Sequence, residues 1–119
     1  MFYVIDDNKG VRESLCLLLE SYGFKAFHYS SGAAFLRDVK PDDNGVLITD
    51  INMPDICGLE LIAQLRHARN IIQAILMTAN VTNQMLAAAN QLGVPVLRKP
   101  FSPTELFVCI EQLSRRKRP

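Results

Sequence analysis

Five side chains in this sequence are of types that do chemistry when brought together. They are the adjacent acids Asp6 and Asp7, a third acid at Asp50, the hydroxyl of Thr78 and the ammonium of Lys99. Each stands at or just beyond the end of a short apolar run: Phe2-Tyr3-Val4-Ile5, Val46-Leu47-Ile48-Thr49, Ile72 to Met77, and Val94 to Leu97. Three carboxylates in one place repel, so either one takes a proton or a cation neutralises them. An all-oxygen donor set suits a hard divalent ion, and magnesium binds through one or two carboxylates while keeping waters for a phosphate. Zinc is disfavoured, because no Cys or His lies near these residues in sequence. Carboxylates, magnesium, a lysine and a threonine together suit acceptance of a phosphoryl group. The carboxylate of Asp50 would attack, the metal and Lys99 would neutralise the equatorial oxygens, and Thr78 would hydrogen-bond the attached group.

The elements between these residues decide whether they can meet. Val11, Leu15, Leu18, Leu19 and Tyr22 recur at helical spacing, and Gly23 stops that helix. A second strand is expected from Phe24 to His28. Ser30-Ser31 then caps a short helix carrying Phe35, Leu36 and Val39, which Pro41 ends. After the Val46–Thr49 strand, a loop with Pro54 and Gly58 leads to a helix with Leu59, Ile62 and Leu65 inward. Ile72 to Met77 is the fourth strand, Thr82 to Leu92 an Ala-rich helix ended by Gly93, and Val94 to Leu97 the fifth strand. Ser102-Pro103-Thr104-Glu105 is a capping box with Pro at the first helical position, opening a helix with Leu106, Phe107, Ile110 and Leu113 on one face.

Strands alternating with helices imply a parallel sheet covered on both faces, with right-handed crossovers. Such a sheet binds ligands outside the carboxyl ends of its strands, where the strand order reverses. Taken singly, each residue has a structural explanation: Asp7 as a helix cap, Asp50 as a turn former, Thr78 as a strand-end β-branched residue, Lys99 as a solvated charge. Four of five strand ends bearing such groups is a pattern that structure alone does not require.

Composition bounds the rest. A chain of 119 residues, 49% hydrophobic and 21% charged, suits one domain with one core. No stretch approaches the roughly 18–20 apolar residues of a membrane span, and Asp6-Asp7 interrupt the only apolar N-terminal run. Net charge is +1, but Arg115, Arg116, Lys117 and Arg118 carry +4, leaving −3 on the remainder. A nucleic-acid-binding body would carry the opposite sign. The expected division is a domain over 1–114 and a basic tail over 115–119 that begins a linker. Three scattered cysteines without a Cys-x-x-Cys fit reduced, cytoplasmic thiols.

The motifs Ile5-Asp6-Asp7, Asp50-Ile51-Asn52-Met53-Pro54 with Gly58, Met77-Thr78-Ala79 and Lys99-Pro100-Phe101 resemble the receiver domain of two-component response regulators. The resemblance spans essentially the whole chain. Val11-Arg12-Glu13-Ser14-Leu15 looks like the nitrogen-fixation-type regulators, which usually carry a C-terminal helix-turn-helix output domain. The resemblance implies a flavodoxin-like (βα)5 fold, with a five-stranded parallel sheet in order 2-1-3-4-5. It implies that Asp50 takes phosphoryl from a sensor histidine kinase or a histidine phosphotransfer protein. Asp7 would ligate Mg2+ directly and Asp6 mostly through water, with Asp50 and the backbone carbonyl of Asn52 completing the protein's ligands. Thr78 would be the switch hydroxyl and Lys99 the phosphate-binding lysine, followed by a cis bond to Pro100. The module would be a signalling switch rather than an enzyme, with slow autodephosphorylation at most. It would touch DNA only through a missing output domain and would have no membrane partner. Homodimers would form through the fourth-helix, fifth-strand and fifth-helix face, where residues 79 to 97 carry no charge.

Three departures concern output. Val96 stands where the family has its aromatic switch, the span from Gly93 to Lys99 is one residue short, and Cys57 leaves the third helix without a side-chain cap. His28 and His67 lack ligand partners at useful spacing, and Met53 and Met77 read as packing residues. Rival functions lack their own signatures. A haloacid-dehalogenase-type phosphatase expects Asp where Asn52 stands, a flavodoxin needs a Ser/Thr/Gly-rich loop after strand 1, and a nucleotide hydrolase needs Gly-x-x-x-x-Gly-Lys. The alternatives that remain are a receiver from a hybrid kinase, a single-domain phosphorelay shuttle, or a degenerate receiver acting only by protein contact.

Overall fold

The computed structural model describes residues 1–116, the side chains of Arg115 and Arg116 excepted. The elements alternate throughout: β1 (Phe2–Ile5), α1 (Lys9–Ser21), β2 (Ala26–Tyr29), α2 (Gly32–Asp38), β3 (Val46–Asp50), α3 (Gly58–His67), β4 (Gln73–Thr78), α4 (Asn83–Gln91), β5 (Val96–Arg98) and α5 (Pro103–Arg116). All strand pairs are parallel and the order is β2-β1-β3-β4-β5, as expected. Of the expected basic tail, 117–119 lie outside the described residues.

Successive strand residues point to opposite faces, and this alternation divides the core in two. Tyr3, Ile5, Leu47 and Leu76 face one side, against Phe35 of α2, Leu61, Ile62 and Leu65 of α3, and Ala89 of α4. Phe2, Val4, Ile48, Ile75, Met77 and Leu97 face the other, against Leu15, Cys16 and Leu19 of α1 and Leu106 and Leu113 of α5. Burial on both faces is why these strands are nearly continuous apolar runs.

The helix starts follow their sequence signals. Ser31 accepts from the Ala34 amide and Thr82 from the Met85 amide. The box at α5 closes in both directions, Ser102 N to Glu105 Oε1 at 3.1 Å and Glu105 N to Ser102 Oγ at 3.2 Å. Cys57 gives α3 no side-chain cap, as expected. Asp7 is not a cap: Asn8 holds that position, its Oδ1 accepting from Val11 N at 3.0 Å, which leaves the Asp7 carboxylate for other partners.

Three strands start later than their apolar runs imply, for one physical reason. The first amide of each expected strand already closes the turn before it. Phe24 N donates to Leu19 O at 3.1 Å and Val94 N to Ala89 O at 2.9 Å, both completing helix ends. Ile72 N donates to Asn70 Oδ1 at 2.9 Å. Two helix faces also differ from the expected ones. Tyr22 is exposed, its ring tilted against that of Phe107 with centroids 4.1 Å apart, and Cys16 is buried in its place. In α3, Leu61 joins the core while Leu59 is only half-buried.

Candidate functional site

The parallel register brings four strand ends to one edge. Ile5 pairs with Thr49, Asp50 with Met77 and Thr78 with Arg98, so Asp6, Asp50, Thr78 and Lys99 step across the carboxyl ends of neighbouring strands. Carboxylate oxygens of Asp6, Asp7 and Asp50 lie within 4.8 Å of one another. Lys99 Nζ bridges two of them, 2.7 Å from Asp6 Oδ2 and 2.9 Å from Asp50 Oδ2. The Asp6 side chain is 1% exposed, that of Asp50 13% and that of Lys99 22%, whereas Asp7 lies open to solvent.

Asp6 and Asp50 are oriented by backbone. The remaining oxygen of Asp6 accepts from Asn8 N at 2.9 Å, and Asp50 Oδ1 accepts from Asn52 N at 3.1 Å. Burial pulls the Lys99 ammonium toward release of its proton, but the hydrogen bonds to Asp6 and Asp50 and their charges outweigh it. Its pKa therefore stands above the ordinary lysine value. Three formal negative charges against one positive leave the cluster short of two positive charges, and its donors are all oxygen. That donor set fits a hard divalent cation such as magnesium.

Thr78 is at the same edge but its hydroxyl faces its own loop. Oγ1 accepts from Asn80 N at 3.1 Å and donates to Asn80 O at 3.3 Å, while the Thr78 carbonyl accepts from Lys99 N at 2.8 Å. Val96, paired with Leu76, is half-buried in the apolar cluster, so an isopropyl group stands where an aromatic ring was looked for. The Lys99–Pro100 bond is cis, as the resemblance implied.

Several residues that support the site were not picked out from sequence. Arg12 Nη1 donates to the carbonyls of Asp6 and Asp7 at 3.3 and 3.4 Å, and its Nε donates to His28 Nδ1 at 3.2 Å. Buried Thr49 donates to the Asp50 carbonyl at 3.0 Å. Asp55 reaches across to α2, where the Ala33 amide, against the opposing pull of burial and joined by Gly32, holds its carboxyl below the usual carboxylate range. Its contribution to stability is present above the ordinary carboxyl pKa of about 3.9 and is lost as pH falls through the lower folded value. The Asp55 contacts with α2 and the Arg12–His28 bond span distances in sequence that no local pattern encodes.

Gly58 admits the chain closest to the site. A Cβ there would stand 2.5 Å from the Asp50 carbonyl oxygen and 3.0 Å from Ile51 Cα, both backbone atoms with little freedom to move. Gly58→Ala is expected to lower unfolding free energy by about 1–3 kcal/mol, the range for overpacking a filled site. An unchanged urea midpoint would show that the loop yields instead.

A family model for the response regulator receiver domain matches residues 2–111. The chain belongs to the response regulator receiver domain family. Among curated relatives, this receiver domain is 38% identical over 109 residues to the transcriptional regulatory protein FixJ of Azorhizobium caulinodans, covering 91% of this chain and 52% of that protein. It is 33% identical over 111 residues to the response regulator protein TodT of Pseudomonas putida, covering 92% and 49%. Full-length FixJ from B. japonicum superposes with a TM-score of 0.87 at 31% identity, over 99% of this chain and 59% of that one. The response regulator StyR gives 0.87 at 34%, over 98% and 62%. The receiver domain thus spans about half the length of the curated relatives it matches. No helix among the described residues is long and apolar enough to cross a membrane.

Proposed function

We propose that this receiver domain is a phosphorylation-dependent switch of a two-component system, with Asp50 as the phospho-acceptor. The observation that carries the reading is the meeting of Asp6, Asp7 and Asp50 beside one ammonium, Lys99, at the carboxyl edge of the sheet. A carboxylate oxygen of Asp50 attacks phosphorus of a phosphohistidine on a histidine kinase or histidine phosphotransfer protein. A phosphorus–oxygen bond forms, the phosphorus–nitrogen bond breaks, and the imidazole leaves with its electron pair.

Asp6, Asp7, Asp50 and the Asn52 carbonyl would hold Mg2+. When bound, the ion supplies positive charge to the phosphoryl oxygens. Lys99 supplies a second cation already beside Asp50, and its raised pKa keeps it protonated at neutral pH. Thr78 leaves Asn80 and donates its hydroxyl to the acyl phosphate, drawing the β4–α4 loop with it. Moving such an equilibrium from mostly off to mostly on takes about 5.5 kcal/mol of differential stabilisation. A dianion held by charge-assisted hydrogen bonds is a source of that size.

In this reading the domain works in the cytoplasm, and a second copy packs on the α4–β5–α5 face, whose groove Leu86, Val96 and Val108 help line. The printed names of the FixJ relatives describe transcriptional regulators. A transcriptional output here would contact DNA through residues beyond the receiver domain. The test is incubation with a small acyl phosphate. The chain is expected to gain an acid-stable, hydroxylamine-labile phosphoryl group only when Mg2+ is present. Labelling that persists in excess chelator, or none at all, contradicts the reading.

A further inference from the structure

The loop between Asp50 and Gly58 does not hang free over the site. Near its ends it is held by Asn52 N on Asp50 Oδ1 at 3.1 Å and by Gly58 N on Ile51 O at 2.9 Å. Its middle is held by a different element. Asp55 Oδ2 accepts from Ala33 N at 2.8 Å and Oδ1 from Gly32 N at 3.3 Å, the first two amides of α2. Ser31 satisfies the third, accepting from Ala34 N at 3.2 Å. The next loop residue makes a second, apolar contact. Gly32 is buried, and a Cβ on it would stand 2.4 Å from Ile56 Cγ2, so the Ile56 methyl occupies the place of a side chain that α2 lacks there.

A helix start leaves its first amides unpaired unless a cap supplies an acceptor. Here the acceptor for two of them is borrowed from the loop, so the cap works in both directions. It satisfies α2, and it fixes the loop to a packed element. We propose that Asp55 is a positioning residue for the metal pocket, holding the Asp50–Gly58 loop against α2 so that Asn52 stays placed to complete the ligand set. This rests on the reading of Asp50 and its neighbours as the phosphoryl and Mg2+ site.

The test uses the 119-residue chain, isotope-labelled, titrated with Mg2+ and followed by backbone amide shifts. Asp55→Ala is expected to weaken Mg2+ binding about fivefold, the equivalent of losing one helix cap. Asp55→Asn, whose carboxamide oxygen still accepts one amide, should fall between this variant and wild type. Faster exchange at the Gly32 and Ala33 amides with an unchanged Mg2+ midpoint would overturn the proposal, because the cap would then serve α2 alone. If Asp55→Ala does not fold, Asp55→Asn and Ile56→Ala carry the test, and wild-type affinity in both overturns it. Wild-type protein that binds no Mg2+ would fail the reading of the site itself, and the proposal with it. Saturable wild-type binding with an unmoved Asp55→Ala midpoint would fail the proposal alone.

Discussion

Asp50→Asn is expected to abolish stable phosphoryl uptake from a small acyl phosphate while leaving the fold intact. The substitution keeps the size of the side chain and an oxygen that can still accept from Asn52 N, 3.1 Å away in the native chain. It removes the charge and the nucleophilic oxygen, because the carboxamide's lone pair is delocalised away from attack. Neither neighbouring acid can take over. Asp6 is 1% exposed, with one oxygen on Lys99 and the other on Asn8 N, so an incoming phosphorus has no line to it. Asp7 is exposed and has no bond to Lys99 among the described residues. Stability should change by no more than about 1 kcal/mol, since relief of like-charge crowding offsets the lost ion pair. Labelling of the variant at the wild-type level would show that the acceptor lies elsewhere.

Lys99→Ala should have the largest effect on stability. It leaves Asp6 buried with one oxygen unpaired, beside two other carboxylates. Removing one partner of a buried pair costs about 3–5 kcal/mol. Lys99 is 22% exposed, so water can replace part of what it gave, and a loss of about 2–3 kcal/mol is expected by urea denaturation at neutral pH. The pH dependence has a definite sign. A lysine whose folded pKa is raised contributes fully below its unfolded value of about 10.4, and the contribution is lost as pH rises through the folded value. The difference between wild type and variant should therefore be flat through neutrality and shrink only in strong alkali. Added Mg2+ should return part of the loss to the variant, because an ion that binds only the folded state stabilises it by mass action. A variant as stable as wild type without Mg2+ would mean that Lys99 is not what offsets the acid cluster.

The parallel sheet and the acidic cluster were legible because they depend on features that are local in sequence, whereas the strand order came from the family resemblance. Apolar runs four to six residues long mark strands, and a charged or hydroxyl residue at the end of each run lands on one edge once the strands are parallel. Strand starts were misplaced where a residue's apolar character and its backbone bonding disagree. Val94 is buried like a strand residue, yet its amide belongs to the end of α4. Ile72 is fully buried, yet its amide is held by Asn70. Asn8 rather than Asp7 caps α1, a one-residue difference that side-chain type could not decide, since both are good caps.

What sequence did not reveal is tertiary. Asp55 on the first amides of α2, and Arg12 on His28 of β2, join residues 22 and 16 positions apart, near one another only once the strands have paired. The place of Thr78 was foreseen, but not that its hydroxyl would be turned to Asn80. Val96 was visible as a departure, and the structure shows what it entails: the first position of β5 is filled by a small, half-buried side chain packed against the core. The ends of β4 and β5 remain tied by backbone, Lys99 N donating to Thr78 O at 2.8 Å.

Locating the phosphoryl group tests the account most directly. The chain would be incubated with a small acyl phosphate and Mg2+, reduced with borohydride so that an aspartyl phosphate becomes homoserine, digested and read by mass spectrometry. Conversion at residue 50, dependent on both the phosphoryl donor and the metal, is the predicted result. Conversion at Asp6 or Asp7, or phosphate on a hydroxyl or imidazole with residue 50 unchanged, would contradict it.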